Sequence, residues 1–356
     1  MYAPYELVSF ALKTGLVLDV LPVTGISYTE TLNASGSMTC GVPLAAPMAA
    51  PERLFPGGTG LAVLRGGAPV WGGILWSLTA DLSAGTLTLN SSGFHSHYRG
   101  KTFVAGESKN EVDQGAILRD WLARSNTNNG IGTDYTKIPN TGRKRSRAWT
   151  KFEAMSVAAA IEDLADDGGG FNFRYVPYWI EPGVKMGNRF LISAVSGAKS
   201  KNTLEHRVNC DVASVSYDST SLATNVYMYG ADDTQGAKPT FSVSNPELFA
   251  KIPAKDVIKT FSDVKSVTTL SRKAEAAISV GRAPIAIPAV VVYPGLFSPE
   301  QFVPGDVETV HADHGYVALF SEFVLTERKV DVDANGRESI ALSLANRELF
   351  ENGNAG

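Results

Sequence analysis

The chain has 356 residues, 44% of them hydrophobic and 19% charged, which gives room for two or three domains with their own cores and excludes a disordered or collagen-like chain. A formal net charge of −4 leaves no overall cationic field for gripping nucleic acid. With only Cys40 and Cys210 there is neither a disulfide framework nor a thiolate metal centre, so the pair reads as buried free thiols of a protein folded in a reducing cytoplasm.

Met1 to Val20 lack a basic leader region, and Glu6, Lys13 and Asp19 interrupt their apolar residues, so no signal peptide is expected. Strands are predicted at Tyr5 to Ala11, Leu16 to Leu21, Gly25 to Leu32 and Leu61 to Arg65. Between Ser35 and Phe55 the prolines Pro43, Pro47 and Pro51 predict an excursion with no regular element. The clearest β signal runs from Pro56 to His97. It opens on the Pro56-Gly57 breaker, passes through the apolar Val70 to Trp76, turns at Ser83-Ala84-Gly85 and continues as an alternating strand. Leu87 and Leu89 there face a core, while Thr86, Thr88 and Asn90 face away from it.

After Gly100 the periodicity becomes helical. Ser108-Lys109-Asn110-Glu111 has capping-box spacing ahead of Ile117, Leu118, Trp121 and Leu122, and Asn128-Asn129-Gly130 ends the run. A second helix is announced by Thr150-Lys151-Phe152-Glu153, carries Val157, Ile161 and Leu164, and stops at Gly168-Gly169-Gly170. Strands follow around Phe171 to Tyr178 and Phe190 to Val195. From Asn209 the β pattern returns in Val215-Ser216-Tyr217 and Asn225 to Gly230, and a third helix is predicted over Val264 to Val280. The apolar run Ile285 to Tyr293 is too short to span a bilayer and contains Pro288.

The end of the chain repeats the early order of events. Pro304-Gly305 precedes the apolar Tyr316 to Phe320, a long strand passes Phe323 and Leu325, a turn falls at Ala334-Asn335-Gly336, and Ile340, Leu342 and Leu344 alternate with Ser339 and Ser343. Upstream, Ile26-Ser27-Tyr28 is matched by Val215-Ser216-Tyr217. We read two copies of one β-domain, with Leu87 and Leu89 equivalent to Ile340 and Leu342; periodicity alone, the competing explanation, produces likenesses in any all-β chain. The fold class expected is β-rich α+β: antiparallel barrel or sandwich domains plus α+β insertions. The divisions are 1–100, an α+β domain with two helices at 101–206, a discontinuous second β-domain at 207–234 and 301–350, and an insertion with one helix at 235–300.

Candidate chemistry is sparse. Asp331-Val332-Asp333-Ala334-Asn335-Gly336 matches the first half of a calcium loop, but its twelfth position is Leu342, and a hairpin turn explains it better. His311, Asp313 and His314 are assigned to a loop between strands, and His95 and His97 to alternate positions of a strand; neither set has a further ligand. Ser196-Gly197-Ala198-Lys199 has the spacing of a serine acyl-enzyme without its companion motifs. Gly57-Gly58-Thr59-Gly60 lacks the Lys and hydroxyl of a phosphate loop, and the adjacent acids Asp166-Asp167 and Asp232-Asp233 point apart. Arg143, Lys144, Arg145 and Arg147 form one basic cluster, either a solvated loop or a patch for an acidic surface or phosphate.

Gly25 to Ser37, Val42-Pro43, Val70-Trp71-Gly72-Gly73-Ile74 and Gly93-Phe94 to Tyr98-Arg99 resemble the opening of minor tail proteins from siphophages of actinobacteria. Pro304-Gly305-Asp306, Phe323 to Arg328 and Ile340 to Leu344 resemble the close of the same tail-hub proteins. The resemblance implies a baseplate or tail-tip hub in the virion, assembled in the host cytoplasm. Two tail-tube-like β-domains per chain would let a homotrimer build a pseudo-sixfold ring joining the tube to the tip. Its partners would be the distal tail protein, the tape-measure protein and other tail-tip proteins, with the host envelope met only indirectly. DNA would pass without specific binding, so Thr86, Thr88, Asn90, Ser339 and Ser343 are expected to face the lumen. Related proteins carry a C-terminal lytic or sugar-binding domain; the chain stops soon after the second β-copy, so that activity is not implied. Two rivals are a distal tail protein, a sixfold adaptor with one such domain per chain, and a phage-tail glycan-active enzyme, which needs a cleft with paired carboxylates. No catalytic centre, cofactor or metal is expected; metal analysis of the purified protein should find neither zinc nor calcium at one per chain, and stoichiometric metal contradicts this.

Overall fold

Alternating strands with one apolar face have to share a core, and here they do so through one long, mostly antiparallel sheet. The computed structural model describes residues 4–152, 154–166, 170–194, 197–230, 238–261 and 267–347. The first half runs β1 (Tyr5–Ala11), β2 (Val17–Leu21), β3 (Gly25–Thr31), β4 (Ser37–Pro43), β5 (Thr59–Arg65), β6 (Ala68–Asp81), β7 (Thr86–Gly93) and the short helix α1 (His95–Arg99). An insert follows with β8 (Glu107–Asp113), α2 (Gln114–Thr127), β9 (Lys144–Trp149), α3 (Val157–Asp166) and the hairpin β10 (Asn172–Glu181) and β11 (Lys185–Ser193). The second half begins with β12 (Lys199–Glu205) and β13 (Cys210–Asp218). It continues through β14 (Asn225–Tyr229), β15 (Thr240–Ser244), α4 (Pro246–Phe249), β16 (Asp256–Thr260) and α5 (Val267–Val280). It closes with β17 (Ile285–Val292), β18 (Val307–His314), β19 (Val317–Val332) and β20 (Glu338–Asn346).

Across the sheet the order is β13-β17-β20-β19-β3-β4-β7-β6-β5-β1-β2, with β18 against the first part of β19 and β12 beside β18. One order therefore occurs twice, as β3-β4-β7-β6-β5 and as β13-β17-β20-β19-β18. The irregularities coincide too. The pairing of β6 with β7 slips between Leu75 and Ser77, and that of β19 with β20 between Leu325 and Glu327. The Gly57 N–H donates to the Leu75 carbonyl and the Gly305 N–H to the Leu325 carbonyl, both at 2.7 Å. Both glycines hold positive φ, +80° and +101°, which other residues adopt only under strain. Counted from these bulges, Leu87 and Leu89 stand where Ile340 and Leu342 stand, each pair in the core of its own half. Only the outermost partner differs, since β1 joins β5 antiparallel and β12 joins β18 parallel.

The halves are joined because β19 is long enough to serve both. Its last six residues pair with β20 on one edge and with β3 on the other, from Glu327 opposite Thr31 to Val332 opposite Ile26. Val330 and Val332 thereby leave their own half and pack into the first core with Ile26, Tyr28, Met38 and Leu7. Arg328 is buried in the seam. Its Nη2 donates to Glu30 Oε2 at 2.5 Å, and its Nη1 to the carbonyls of Pro299 and Phe302 at 2.5 and 2.9 Å. Arg65 crosses the same seam to Glu338, Nε to Oε1, at 2.7 Å.

The insert covers the other face of β5 and β6. Its core gathers Trp121, Phe103, Trp149, Ile161 and Phe190 with Phe10, Ala62, Ile74 and Phe94 of the first half. Gly72 makes this approach possible, since a Cβ there would lie 2.8 Å from the Phe94 ring and 2.9 Å from Pro177. A separate small sheet, β15-β14-β16, buries Val226 and Met228 under Leu270 and Ala274 of α5.

Several expectations are corrected. The excursion after Ser35 contains β4, with Pro43 at its last position, where a missing N–H is tolerated. Ser108 to Glu111 is strand, and α2 is capped by Asp113, whose Oδ1 accepts from Gly115 and Ala116 N–H. The second helix starts beyond Thr150, at Val157, where the Ser156 hydroxyl accepts from Ala159 N–H. His95 and His97 lie on α1, and His311, Asp313 and His314 lie in β18. Of the strands within 101–206 and 235–300, β12 and β17 belong to the large sheet, whereas β14, from 207–234, pairs outside it. Pairing also aligns Tyr28 with Val215, two places from the match read in the sequence. Glu153, Asp167, Gly168, Gly169, Ser196, Asp232, Asp233 and the start of the third helix at Val264 lie outside the described residues.

The seam makes a stability prediction. Glu30→Ala strands a buried guanidinium and is expected to lower the unfolding free energy by about 3–5 kcal/mol in urea titrations. Arg328→Met combined with Glu30→Leu should regain most of it, because no charge is then left unpaired; additive losses in the double variant contradict the account.

Candidate functional site

The face of the sheet turned away from the two cores is polar and continuous across the seam. Residues directly opposite in neighbouring strands share a face, so the pairings Ser339-Asp331-Ser27-Thr39-Asn90-Ser77 trace one row over β20, β19, β3, β4, β7 and β6. Ala341-Lys329-Thr29-Ser37-Ser92 forms a second row, and Ser343-Glu327-Thr31 begins a third. Hydroxyls and amides dominate, and they bond to one another: Thr39 Oγ1 donates to Asn90 Oδ1 at 3.2 Å, and the Thr29 and Ser37 hydroxyls are 3.1 Å apart. The charges in these rows all sit on β19 and are partnered there. Lys329 Nζ is 3.0 Å from Asp331 Oδ2, and Thr31 Oγ1 donates to Glu327 Oε2 at 2.9 Å.

Thr86, Thr88, Asn90, Ser339 and Ser343 all lie on this open face, the first three half-buried and the two serines exposed. The basic cluster lies elsewhere, on the two-stranded sheet of the insert. Arg145 and Lys144 there oppose Val112 and Asp113, Arg147 Nε is 3.0 Å from Asp163 Oδ2, and Arg143 donates to the Gly170 carbonyl at 3.3 Å. Lys144, Arg145 and Arg147 are strand, where a loop was one reading, and Arg143 directly precedes it. The calcium-like run is a hairpin turn, with Asp333 Oδ1 accepting from Asn335 and Arg337 N–H at 2.8 and 2.9 Å.

The sequence singled out His95 without its partners and missed Glu308; both are buried. His95 is fully buried, its Nε2 2.9 Å from Glu162 Oε1 and its Nδ1 3.4 Å from the Tyr175 hydroxyl; burial lowers its pKa. The three side chains come from α1, α3 and β10, so the pair ties the insert to the first half. Glu308 is fully buried on the core side of β18, where the corresponding residue of β5 is Leu61. Burial, with Asp306 nearby, pushes its carboxyl up to about 7. Cys40 and Cys210 are free and buried, and burial raises their thiols to about 12 and about 11. Among the described residues no three His, Cys, Asp or Glu side chains are grouped as metal ligands.

No protein-family model matches the sequence, and no curated protein does. Solved structures do match along nearly the whole chain. The 43 kDa tail protein of prophage MuSo2 from Shewanella oneidensis has a TM-score of 0.67 at 14% identity, covering 97% of this chain and 99% of that one. A tail protein from Neisseria meningitidis MC58 gives 0.62 at 14% identity, covering 99% of each, and prophage tail protein gp18 from Listeria monocytogenes EGD-e gives 0.56 at 14%, covering 95% and 94%. The chain has the fold of phage tail proteins.

Glu308 sets a pH dependence. The native state keeps its proton up to about pH 7, whereas the unfolded chain loses it near the ordinary value of 4.5, so stability falls as pH rises through that window. Glu308→Leu should remove this part of the slope and raise the unfolding free energy at pH 8 by about 1–3 kcal/mol. Parallel pH profiles for the two proteins contradict it.

Proposed function

We propose that the chain is a structural hub of a phage tail tip, in which three copies close a ring around the genome channel and join the tail tube to the tip apparatus. The observation that carries this reading is the doubled strand order within one sheet. A chain with two like halves in sequence presents six like units when three copies close, which meets a sixfold tube on one side and a threefold tip on the other. The halves are the tube-like domains of the proposal, 4–100 and a second half drawn from β12, β13 and β17 to β20, and the insert and the β14 sheet decorate the ring. The full-length likeness to tail proteins supports a place in the virion.

In this reading the polar rows line the conduit. Each copy contributes the eight strands from β13 to β6, and barrels of roughly 16–18 strands already enclose a water-filled channel. Hydroxyl and amide side chains offer phosphates no cationic hold, and Lys329 is answered by Asp331, so DNA passes without binding. The hub acts by geometry and carries no catalysis. Its neighbours in the tail are the distal tail protein, the tape-measure protein and other tip proteins.

Light scattering is expected to give three times the chain mass of 37.9 kDa. Arg at Thr88 and Ser343 should leave folding and assembly intact, since both side chains lie on the open face away from the cores, and slow or stall genome ejection in phage carrying the variant. Unchanged ejection by correctly assembled T88R/S343R particles contradicts the lining role.

A further inference from the structure

The seam inside the chain has two unused counterparts at the ends of its pattern. The last part of β19 pairs on both edges, with β20 and β3, whereas the corresponding part of β6, Ser77 to Asp81, pairs only with β7 among the described residues. Likewise β3 pairs with β4 and β19, whereas its counterpart β13 has only β17 as a strand partner along Ser214 to Asp218. An open edge is a template for another strand.

The side chains at these edges are apolar where the seam is buried. Val330 and Val332 are 0% and 6% exposed in the first core, while the residues at their places after the β6 bulge are Ala80, exposed, and Leu82, 83% exposed. On the other edge, Val212 and Val215 stand where Ile26 and Tyr28 stand, but are only half-buried against the second core. Chemistry is matched across each seam. Arg328 and Glu30 oppose each other inside the chain; the corresponding residues on the open edges are Leu78 and Tyr217, so both members change from charged to uncharged together.

We propose that β6 of one copy pairs antiparallel with β13 of the next in the register β19 and β3 use, a contact that rests on the ring reading above and specifies its joint. The register follows from the two bulges. Ser77 opposes Asp218, Leu78 opposes Tyr217, Thr79 opposes Ser216, Ala80 opposes Val215 and Asp81 opposes Ser214 of the next copy. Leu82 then packs over Val212, as Val332 packs over Ile26. The joint is head-to-tail, so each copy uses one edge of each kind, and the assembly closes as a ring where the rotation per copy is a third of a turn.

The test is crosslinking of full-length protein. Thr79→Cys and Ser216→Cys sit on the open face, and directly opposed antiparallel residues have Cα atoms about 4.5–5.5 Å apart, within disulfide range. Mild oxidation of a mixture of the two single variants should give covalent dimers, neither variant alone should, and the double variant should run to closed covalent trimers. Thr79→Cys with Ser214→Cys, a diagonal pair about 7–8 Å apart, should not crosslink. Leu78→Arg alone and Tyr217→Glu alone should each raise the concentration for half-dissociation of the trimer at least tenfold, and together they should restore assembly by rebuilding the Arg328–Glu30 pair. Trimers by light scattering without the T79C/S216C crosslink, or crosslinks from either single variant alone, overturn the joint and leave the ring reading standing. Crosslinked open filaments uphold the joint and overturn the ring. Monomers at about 100 µM with no crosslink overturn both.

Discussion

The structure depends on one strand serving both halves of a single sheet. Were β19 to stop at its bulge, β3 would keep an open edge and Ile26 and Tyr28 would lack cover. Instead β19 continues for six paired residues past its bulge and supplies both. The pairing also fixes which way the halves face. Direct cross-strand opposition carries side-chain direction unchanged from β20 to β6, so the polar row of one half runs on into that of the other. Arg328 holds this register, because a one-residue slip would turn a guanidinium bonded to Glu30 and two carbonyls onto the open face and lose all three bonds.

The two faces then take different tasks. One is filled by leucine, valine and aromatic side chains, and over β5 and β6 the second face is also taken, by the insert, which is why Ala62 and Ile74 are buried away from the first core. What stays open is the stretch from β20 to β6, and its hydroxyl groups bond to one another. Glu308 lies behind the sheet, buried on the core side of β18.

Much of this was legible in the sequence because period-two alternation is a direct record of one-sided burial. Leu87 and Leu89 against Thr86, Thr88 and Asn90, and Ile340 and Leu342 against Ser339 and Ser343, announced two strands with the same facing, and Pro56-Gly57 and Pro304-Gly305 marked their shared bulge. Where other forces ruled, the reading failed. β17 is apolar almost throughout and broken by Pro288, so its run gave no alternation to follow. Prolines hid β4, and a capping-box spacing at Ser108 was coincidental, since Asp113 caps the helix five residues later. The seam itself was invisible: Arg328 and Glu30 are far apart in sequence, and each alone reads as a surface charge. The tail-protein resemblance met its counterpart in the fold shared with prophage tail proteins at 14% identity, a level at which strand order persists and residue identity does not.

The central claim is that the two halves of the chain are equivalent units of one ring. End-on electron micrographs of the purified assembly test it most directly through rotational symmetry. The account predicts threefold averages with six lobes around an open centre, neighbouring lobes alike in shape and distinguished by their decorations, the insert on one and the β14 sheet on the other. True sixfold averages with one lobe per chain, or particles without a rotational axis, contradict it.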